Sequence, residues 1–274
     1  MQRFLVGILS LIAIGAATLA QTDQSTRSKG MENIKHLSDF QVIEFRRYTL
    51  KEGEQEHFAQ YFESYFPEAF QQLGALSLGQ FYERDKPSSF TWIRGFKNSD
   101  ERAKVNAAFY YGPLWKEHKS TMNNILVDSD NVLLLGPLRP ERGLITLPAV
   151  DPVSETKGAQ GVVVAQIFSI KANHVEAFAQ QAEVTFARFR ATGVREAGVL
   201  VTLDVANNFP QHPVRTDGPY LIWLGIAENN QKLEQFKLLA EQSSPSLTAT
   251  GLLRGAPELL ILDPTPRSRL RWLP

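Results

Sequence analysis

The chain has 274 residues, of which 43% are hydrophobic and 21% charged, a composition typical of a globular protein with a sizeable core. Lys plus Arg equals Asp plus Glu at 29 each, and no long run of one sign occurs, which excludes the broad positive field that attracts nucleic acid. The absence of cysteine excludes disulfides, thiolate metal sites and anchoring through a lipidated cysteine.

The N-terminus has the pattern of a targeting segment. A positive charge at Arg3 precedes an apolar run over residues 4–17 and a small-residue segment that ends at Ala20. This pattern predicts a signal peptide over residues 1–20, and hence a periplasmic or secreted protein without a stable membrane span after cleavage. An uncleaved membrane anchor is the alternative, but the apolar run is shorter than the roughly 20 residues that cross a bilayer. Residues 21–39 are polar and predict a flexible leader.

The first structural elements are a strand and a long helix. Residues 42–50 are rich in β-branched and aromatic side chains, which predicts a strand. Large apolar residues then recur at three- and four-residue steps from Phe58 to Leu73, which predicts a helix that ends at Gly74. Pro67 lies inside this helix and predicts a kink or a local opening, because proline cannot donate to the preceding turn.

Two strands, a broken helix and a last strand complete the unit. Strands are predicted over residues 76–83 and 90–96. The next helix is predicted to begin near Ser99, whose hydroxyl can cap it, and to break and restart at Gly112–Pro113. It gives way to a strand over residues 131–135. The order is therefore strand, helix, strand, strand, helix, strand.

The chain then repeats this unit, first with an offset of 120 positions. The matching pairs include Val42 and Val162, Tyr48 and Phe168, Lys51 and Lys171, Phe58 and Phe178, and Phe66 and Phe186. The register drifts later, so that Gly95 matches Gly225 and residues 132–135 match residues 259–262. We interpret this similarity as an internal repeat.

The repeat defines the predicted domain organisation. The first repeat occupies residues 40–138, and the second, diverged repeat occupies residues 161–263 with a longer hairpin at residues 207–218. Residues 139–160 are rich in proline, glycine and charge and predict a linker. Residues 264–274 are prolyl and basic, and we expect this tail to drape on the surface rather than form an element.

The element order predicts an α+β fold. Each repeat has the βαββαβ order of a ferredoxin-like unit, with helices on one face of an antiparallel sheet. The strands that open the repeats are apolar on both sides, so both faces of each sheet must be buried. We therefore predict two tandem ferredoxin-like repeats that press their bare sheet faces together into one α+β barrel with helices outside. The alternative is two independent domains that each dimerise with another chain. The expected state is a monomeric pseudo-dimer or a homodimer.

Several segments of the first repeat resemble one family. These are E-F-R-R-Y-T-L-K-E-G at residues 44–53, W-I-R-G-F at 92–96, F-Y-Y-G-P-L-W-K-E-H at 109–118 and D-S-D-N-V-L-L-L at 128–135. They resemble the NIPSNAP family of the dimeric α+β barrel superfamily. The second repeat lacks the G-P-x-W-x-x-H element and has S-P-S-L-T-A-T-G near the equivalent place. The resemblance implies a ferredoxin-like barrel, often dimeric, whose members largely lack an assigned reaction.

His118 is the candidate catalytic residue. It shares a helical face with Trp115, Met122 and Ile125, so it lies on an otherwise apolar stripe. Its ordinary pKa near neutrality suits a general base. The resemblance also admits an axial ligand of a haem between helix and sheet, although the expected cofactor is none. The alternative without function is a buried histidine that donates to a backbone carbonyl, or a histidine at the solvent-exposed edge of the stripe.

Arg47 and Arg94 are candidate ligand-binding residues, because each shares a strand face with apolar side chains. A guanidinium in such a place needs a partner, which a ligand carboxylate or phosphate would supply. The alternative partner is internal, namely Glu44, Glu83 or Asp130.

Aromatic residues could line a pocket beside these arginines, although core packing is the alternative. The candidates are Tyr48, Tyr82, Trp92, Tyr110, Tyr111 and Trp115. Residues 128–131 have too few oxygens at a regular spacing for a calcium loop, so we predict a turn there and no metal site.

The sequence contains none of the familiar nucleophile-elbow, phosphate-loop, dinucleotide or H-E-x-x-H motifs. We therefore predict an exported protein that binds a small apolar or aromatic ligand or a protein partner. A second hypothesis is a monooxygenase- or isomerase-like enzyme, with its substrate held around His118 and an arginine stabilising negative charge. A third is an interaction module that makes contact through the hairpin at residues 207–218.

Overall fold

The computed structural model describes residues 35–36, 40–146 and 158–273. The predicted signal peptide and part of the linker lie outside them. Within them, the elements in chain order are β1 (Lys35–His36), β2 (Val42–Leu50), α1 (Gln55–Leu73), β3 (Leu76–Glu83), β4 (Ser89–Phe96), α2 (Ser99–Tyr110), α3 (Pro113–Ile125), β5 (Leu126–Pro137), a 3₁₀ turn (Pro140–Arg142), β6 (Ile145–Thr146), β7 (Val162–Ser169), α4 (Val175–Ala191), β8 (Arg195–Thr202), β9 (Tyr220–Ala227), α5 (Asn230–Ala249) and β10 (Glu258–Pro264). None of these helices is both long and apolar enough to span a membrane.

Eight strands close into an antiparallel barrel in the order β10-β3-β4-β2-β5-β8-β9-β7. Each half contributes four neighbouring strands in the ferredoxin-like order, β5-β2-β4-β3 from the first half and β10-β7-β9-β8 from the second. The halves join where β10 pairs with β3 and β5 pairs with β8. The predicted α+β barrel is confirmed. The short strands β1 and β6, from the predicted leader and linker, pair with each other outside the barrel.

Three hydrophobic cores follow from the alternation of side chains along the strands. The barrel interior is filled from both halves, for example by Phe45 of β2 and Ile222 of β9. The outer face of the first half packs against α1, α2 and α3. The outer face of the second half packs against α4 and α5. Both faces of each sheet are thus buried, as the apolar strands predict.

Helices α1 and α2 each differ from the prediction in one respect. α1 ends at Gly74, which has a left-handed φ of 98°. The helix continues through Pro67, so the local opening predicted there does not occur. The cap of α2 is Asn98 rather than Ser99, because the Asn98 side chain accepts a hydrogen bond from the backbone N–H of Glu101.

The acidic segment before the last strand of the first half is also different from the prediction. Residues 128–131 lie inside β5 rather than in a turn. The pairing of β2 with β5 shifts register on either side of Thr49. Such bulges add residues to one strand without ending it, which is why a polar D-S-D sequence fits within the ladder.

The register of the barrel corrects one match between the repeats. Glu44 of β2 pairs with Arg94 of β4. Val164, its counterpart 120 residues later, pairs with Gly225 of β9. Gly225 therefore corresponds to Arg94 and not to Gly95, because strand pairing fixes equivalence and a shared residue type does not.

The C-terminal tail is not draped on the surface, contrary to the prediction. The backbone N–H groups of Thr265 and Leu270 donate to the carbonyls of Gln80 and Leu78, so the tail follows β3. Leu270 is fully buried within the barrel core. The tail can be buried despite its basic residues because their donors find internal acceptors, as when Arg271 Nε donates to the Ser268 carbonyl.

Candidate functional site

A cavity of about 70 Å³ lies between the helices and the sheet of the first half. We call it the first-half cavity. Its sheet wall carries Tyr48 and Trp92, and its helix wall carries Tyr110 and Trp115 together with three phenylalanines of α1. These rings meet because β2 and β4 point alternate residues outward, while α1 presents residues four apart on one face.

The break between α2 and α3 positions Trp115. A Cβ atom at residue 112 would lie 2.3 Å from the Ala108 carbonyl oxygen, so only glycine fits there. Pro113 then begins α3 in its first turn. Trp115 packs against Phe109 and Tyr110, with ring centroids 5.8 and 5.3 Å apart. The Gly-Pro break therefore brings a tryptophan back onto the helix that precedes it.

The second half supplies the roof of the cavity. Residues 203–219, the roof loop, connect β8 to β9 and reach across to the first half. The backbone N–H of Arg215 donates to the Val132 carbonyl of β5. The ring of His212 stacks on Tyr110, with centroids 3.7 Å apart, and lines the cavity. The site is therefore shared between both halves of the chain.

A fully buried charge cluster lies under the same helices. The Glu44 carboxylate accepts hydrogen bonds from Arg46 at 2.8 Å, Arg94 at 2.6 Å and Arg102 at 2.7 Å. Burial raises the pKa of Glu44, but the three guanidinium groups outweigh it and hold the pKa well below the ordinary value of 4.5. Three guanidinium groups share one carboxylate, so the cluster carries two positive charges in excess.

Several buried polar atoms at this interface have no hydrogen-bond partner among the residues that the structure describes. They are Arg94 Nη1, Arg102 Nη2, Trp92 Nε1, and both the oxygen and the nitrogen of the Asn106 amide. Buried polar groups are nearly always paired, since an unpaired one costs about 1–3 kcal/mol. This interface therefore retains hydrogen-bonding capacity that the protein itself does not use.

The cluster also sets the charge of the roof. Burial, and then repulsion from Arg46 and Arg94, lower the pKa of His212 to about 3. The ring that stacks on Tyr110 is therefore neutral at physiological pH.

His118 lies outside the first-half cavity, between α1 and α3. Its Nδ1 is 2.7 Å from the Tyr61 hydroxyl, and its ring stacks on Tyr65 with centroids 4.0 Å apart. This arrangement is a buried histidine with a satisfied hydrogen bond, although its partner is a side chain.

With the roof loop in this position, the first-half cavity is too small for a haem. Pockets for ligands of that size start at roughly 300 Å³, whereas the first-half cavity has about 70 Å³. His118 is held by Tyr61 outside the cavity. In the described part of the chain, no three His, Asp or Glu side chains lie close enough to hold a metal ion.

Arg47 lies on the opposite face of the sheet, inside the barrel. It makes two hydrogen bonds of 2.9 Å with Glu83 and one of 2.9 Å with Glu258. It lines a separate cavity of about 220 Å³ that Arg215 and Tyr220 also line. Arg47 and Arg94 thus both have internal carboxylate partners, and they do not share a site.

The structure brings together four of the candidate residues at the first-half cavity, namely Tyr48, Trp92, Tyr110 and Trp115. Tyr82 lies apart, edge-on to Phe90, where burial and Glu63 raise its pKa to about 12.

Sequence reasoning missed Arg46, Arg102, Asn106 and His212. The sequence does contain one indication of the charge cluster. Val42, Glu44, Arg46 and Tyr48 are spaced two residues apart, so two charged residues share one strand face with two residues of the core.

Comparison with known proteins adds the relatives of this fold. The NIPSNAP family model matches residues 43–138, and no curated protein matches the chain. An anthrone oxidase-like protein superposes with a TM-score of 0.55 at 11% identity, covering 88% of this chain and 98% of that protein. A candidate monooxygenase from Fusobacterium nucleatum gives 0.53 at 12% identity, covering 85% and 96%. Another from Lactobacillus acidophilus gives 0.51 at 15% identity, covering 82% and 94%.

These solved structures share the fold with nearly their whole length, and at such identities the likeness concerns the fold alone. The family match covers β2 through β5, the strands and helices that build the first-half cavity. The NIPSNAP family model thus matches the first half of this barrel, residues 43–138.

Proposed function

We propose that the protein binds a small aromatic molecule in the first-half cavity. The observation that carries the proposal is a small cavity walled by Tyr48, Trp92, Tyr110 and Trp115, where the buried donor Trp92 Nε1 has no partner among the described residues. Aromatic walls with a few convergent polar groups are typical of small-molecule sites. The small volume of the cavity favours a small molecule over a protein partner.

Binding requires the roof loop to move. The first-half cavity has about 70 Å³, roughly half of the ~150 Å³ that holds benzene in an engineered apolar cavity. The neutral ring of His212 lies against Tyr110, on the face that a ligand ring would use. A ligand ring therefore takes the place of His212 when the loop lifts.

Titration of tryptophan fluorescence with phenol tests the proposal, because Trp92 and Trp115 line the cavity. We expect saturable binding that Tyr110→Ala weakens roughly tenfold, since the stacking face is lost. Tyr111→Ala is the matched control, because this neighbouring tyrosine is 56% exposed and does not line the cavity. Equal effects of the two substitutions, or no saturable binding to the wild type, would refute the proposal.

A second candidate function is oxidation of the bound aromatic molecule. The superposed structures include an anthrone oxidase-like protein, and Arg94 places positive charge directly behind the cavity wall. Positive charge there stabilises the enolate that an anthrone forms on losing a proton to solvent water. The enolate would then react with dioxygen, and anthrone plus O₂ gives anthraquinone plus water.

Oxygen uptake in the presence of anthrone measures this second function. We expect turnover that falls in Arg94→Gln. Uptake no faster than in protein-free buffer would eliminate oxidation of anthrone and leave the binding proposal intact.

We also propose that the protein is exported. This proposal rests on the sequence of residues 1–20, which lie outside the described residues. N-terminal sequencing of the protein from its host tests it. A mature chain that begins at Gln21 supports export, and a chain that keeps Met1 in the cytoplasmic fraction contradicts it.

A further inference from the structure

The charge cluster beneath the first-half cavity contains more positive than negative charges. Arg46, Arg94 and Arg102 are each no more than 1% exposed, and Glu44 is the carboxylate that they share. Buried charges are stable when they are paired, and an excess of like charge in a dry site is costly. The cluster is therefore suited to receive an additional anion.

Arg94 adjoins the first-half cavity. Its guanidinium carbon lies 4.8 Å from the ring centre of Phe70, 5.1 Å from that of Trp92 and 5.9 Å from that of Tyr110. All three rings line the cavity. Arg94 does not itself line the cavity, but its Nη1 has no partner among the described residues, so an unused donor of a buried guanidinium lies behind the aromatic walls.

Arg102 is engaged by the roof loop only through uncharged groups. Its Nη1 donates to the amide oxygens of Asn207 and Asn208 at 3.0 and 2.9 Å. The same loop places the neutral ring of His212 on Tyr110. The roof loop thus presents an aromatic ring together with oxygen acceptors, the two groups that an aromatic acid or a phenolate also carries.

We propose that the ligand of the first-half cavity is a small aromatic anion, a ring bearing a carboxylate or phenolate oxygen. Its charged oxygen binds Arg94 and Arg102, and its ring replaces His212 on Tyr110. This inference rests on the proposed binding function and adds the charge of the ligand. Charge-assisted hydrogen bonds from guanidinium groups are among the strongest in proteins, so they decide between charged and neutral ligands of one shape.

Calorimetric titration of the full chain with benzoate and with benzamide tests the inference, because the two differ mainly in charge. We expect the wild type to bind benzoate about tenfold or more tightly than benzamide, the size of one hydrogen bond to a charged group. Arg94→Gln should reduce this preference to about twofold or less. Arg190→Gln is the matched control, since this second-half arginine pairs with Glu183 and Glu196 far from the cavity, and the preference should persist.

The outcomes separate the two proposals. If the wild type binds both probes with equal affinity, the proposal that the ligand is an anion is refuted and the aromatic site remains supported. If it binds neither probe, both proposals are refuted. A preference that survives in Arg94→Gln and in Arg102→Gln overturns the assignment to these arginines. If Arg94→Gln does not fold, thermal shifts of the wild type decide: benzoate must raise the melting temperature more than benzamide and more than acetate, which has the charge without the ring.

Discussion

The two halves of the barrel share one scaffold, but their helix–sheet interfaces contain different kinds of side chain. In the first half, this interface contains Glu44, Arg46, Arg94 and Arg102. The equivalent residues in the second half are uncharged: Val164, Gln166, Gly225 and Leu233. Arg102 and Leu233 correspond because their backbone N–H groups donate to the carbonyls of the capping residues, Asn98 and Asn229.

The paired tryptophans show the same contrast. Trp223 occupies the place of Trp92, two residues before Gly225, and its Nε1 donates to Glu196 at 2.9 Å. Trp92 Nε1 has no partner among the described residues. The second half also has buried polar atoms without a partner among the described residues, Gln166 Oε1 and Ser243 Oγ, but in the first half such atoms include the guanidinium nitrogens Arg94 Nη1 and Arg102 Nη2. An unpaired buried group costs stability, and a charged one costs more than a neutral one, so the first half bears the larger cost.

The largest expected effect is the loss of Glu44. Glu44→Gln leaves three buried guanidinium groups without a carboxylate, which is expected to lower the free energy of unfolding by about 3–5 kcal/mol. Glu183→Gln is the matched control in the second half, where the carboxylate is 45% exposed and the loss should be about 0–1 kcal/mol. Urea denaturation measures both. Similar losses would erase the distinction between the halves.

The pH dependence of stability tests whether the ionised carboxylate of Glu44 stabilises the charge cluster. The pKa of Glu44 is lower in the folded protein than its ordinary value of 4.5, so its contribution is present above pH 4.5 and is lost as the pH falls toward the folded pKa. The stability difference between wild type and Glu44→Gln should therefore shrink on acidification below about pH 4.5. Glu83 and Glu183 also have lowered pKa values, but their effects cancel in this difference. A difference independent of pH would mean that the Glu44 carboxylate is not what stabilises the cluster.

A smaller effect is expected where the second half is closely packed. A Cβ atom on Gly225 would lie 2.5 Å from the Trp223 ring and 2.7 Å from Val194. Gly225→Ala should therefore lower the free energy of unfolding by about 1–3 kcal/mol through overpacking. Gly255→Ala has open space around its Cβ and should be neutral or slightly stabilising. A tolerated Gly225→Ala, judged by thermal denaturation, would show that the Trp223 ring does not need this space.

The smallest effect concerns His118. Tyr61→Phe removes the hydrogen bond to His118 Nδ1 and should cost about 0.5–1.5 kcal/mol. Benzoate affinity should not change, because neither residue lines the first-half cavity. Tyr111→Phe serves as the exposed control for stability. Loss of benzoate binding in Tyr61→Phe or in His118→Gln would return His118 to the site and strengthen the hypothesis of an enzyme built around it.

The barrel could be predicted because its signals are local. Strand alternation, helical spacing and the Gly112–Pro113 break all appear within short windows of the sequence. The charge cluster could not be predicted so readily, since Arg102 lies 58 residues from Glu44. The roof is more distant still, because His212 belongs to the other half of the chain. The apolar stripe on its own helix made His118 the candidate catalytic residue. In the folded chain, α3 packs against α1 so that His118 contacts Tyr61 instead of the cavity.

The attachment of the tail to β3 has a consequence for the kinetics of folding. Thr265 lies 185 residues beyond its partner Gln80, and β10 reaches the same strand. The first half therefore keeps an open strand edge until the opposite end of the barrel is in place. Contacts over such sequence separations slow folding, and an open edge in the meantime invites pairing with other chains. Expression at low temperature and low synthesis rate should accordingly raise the soluble yield of this barrel.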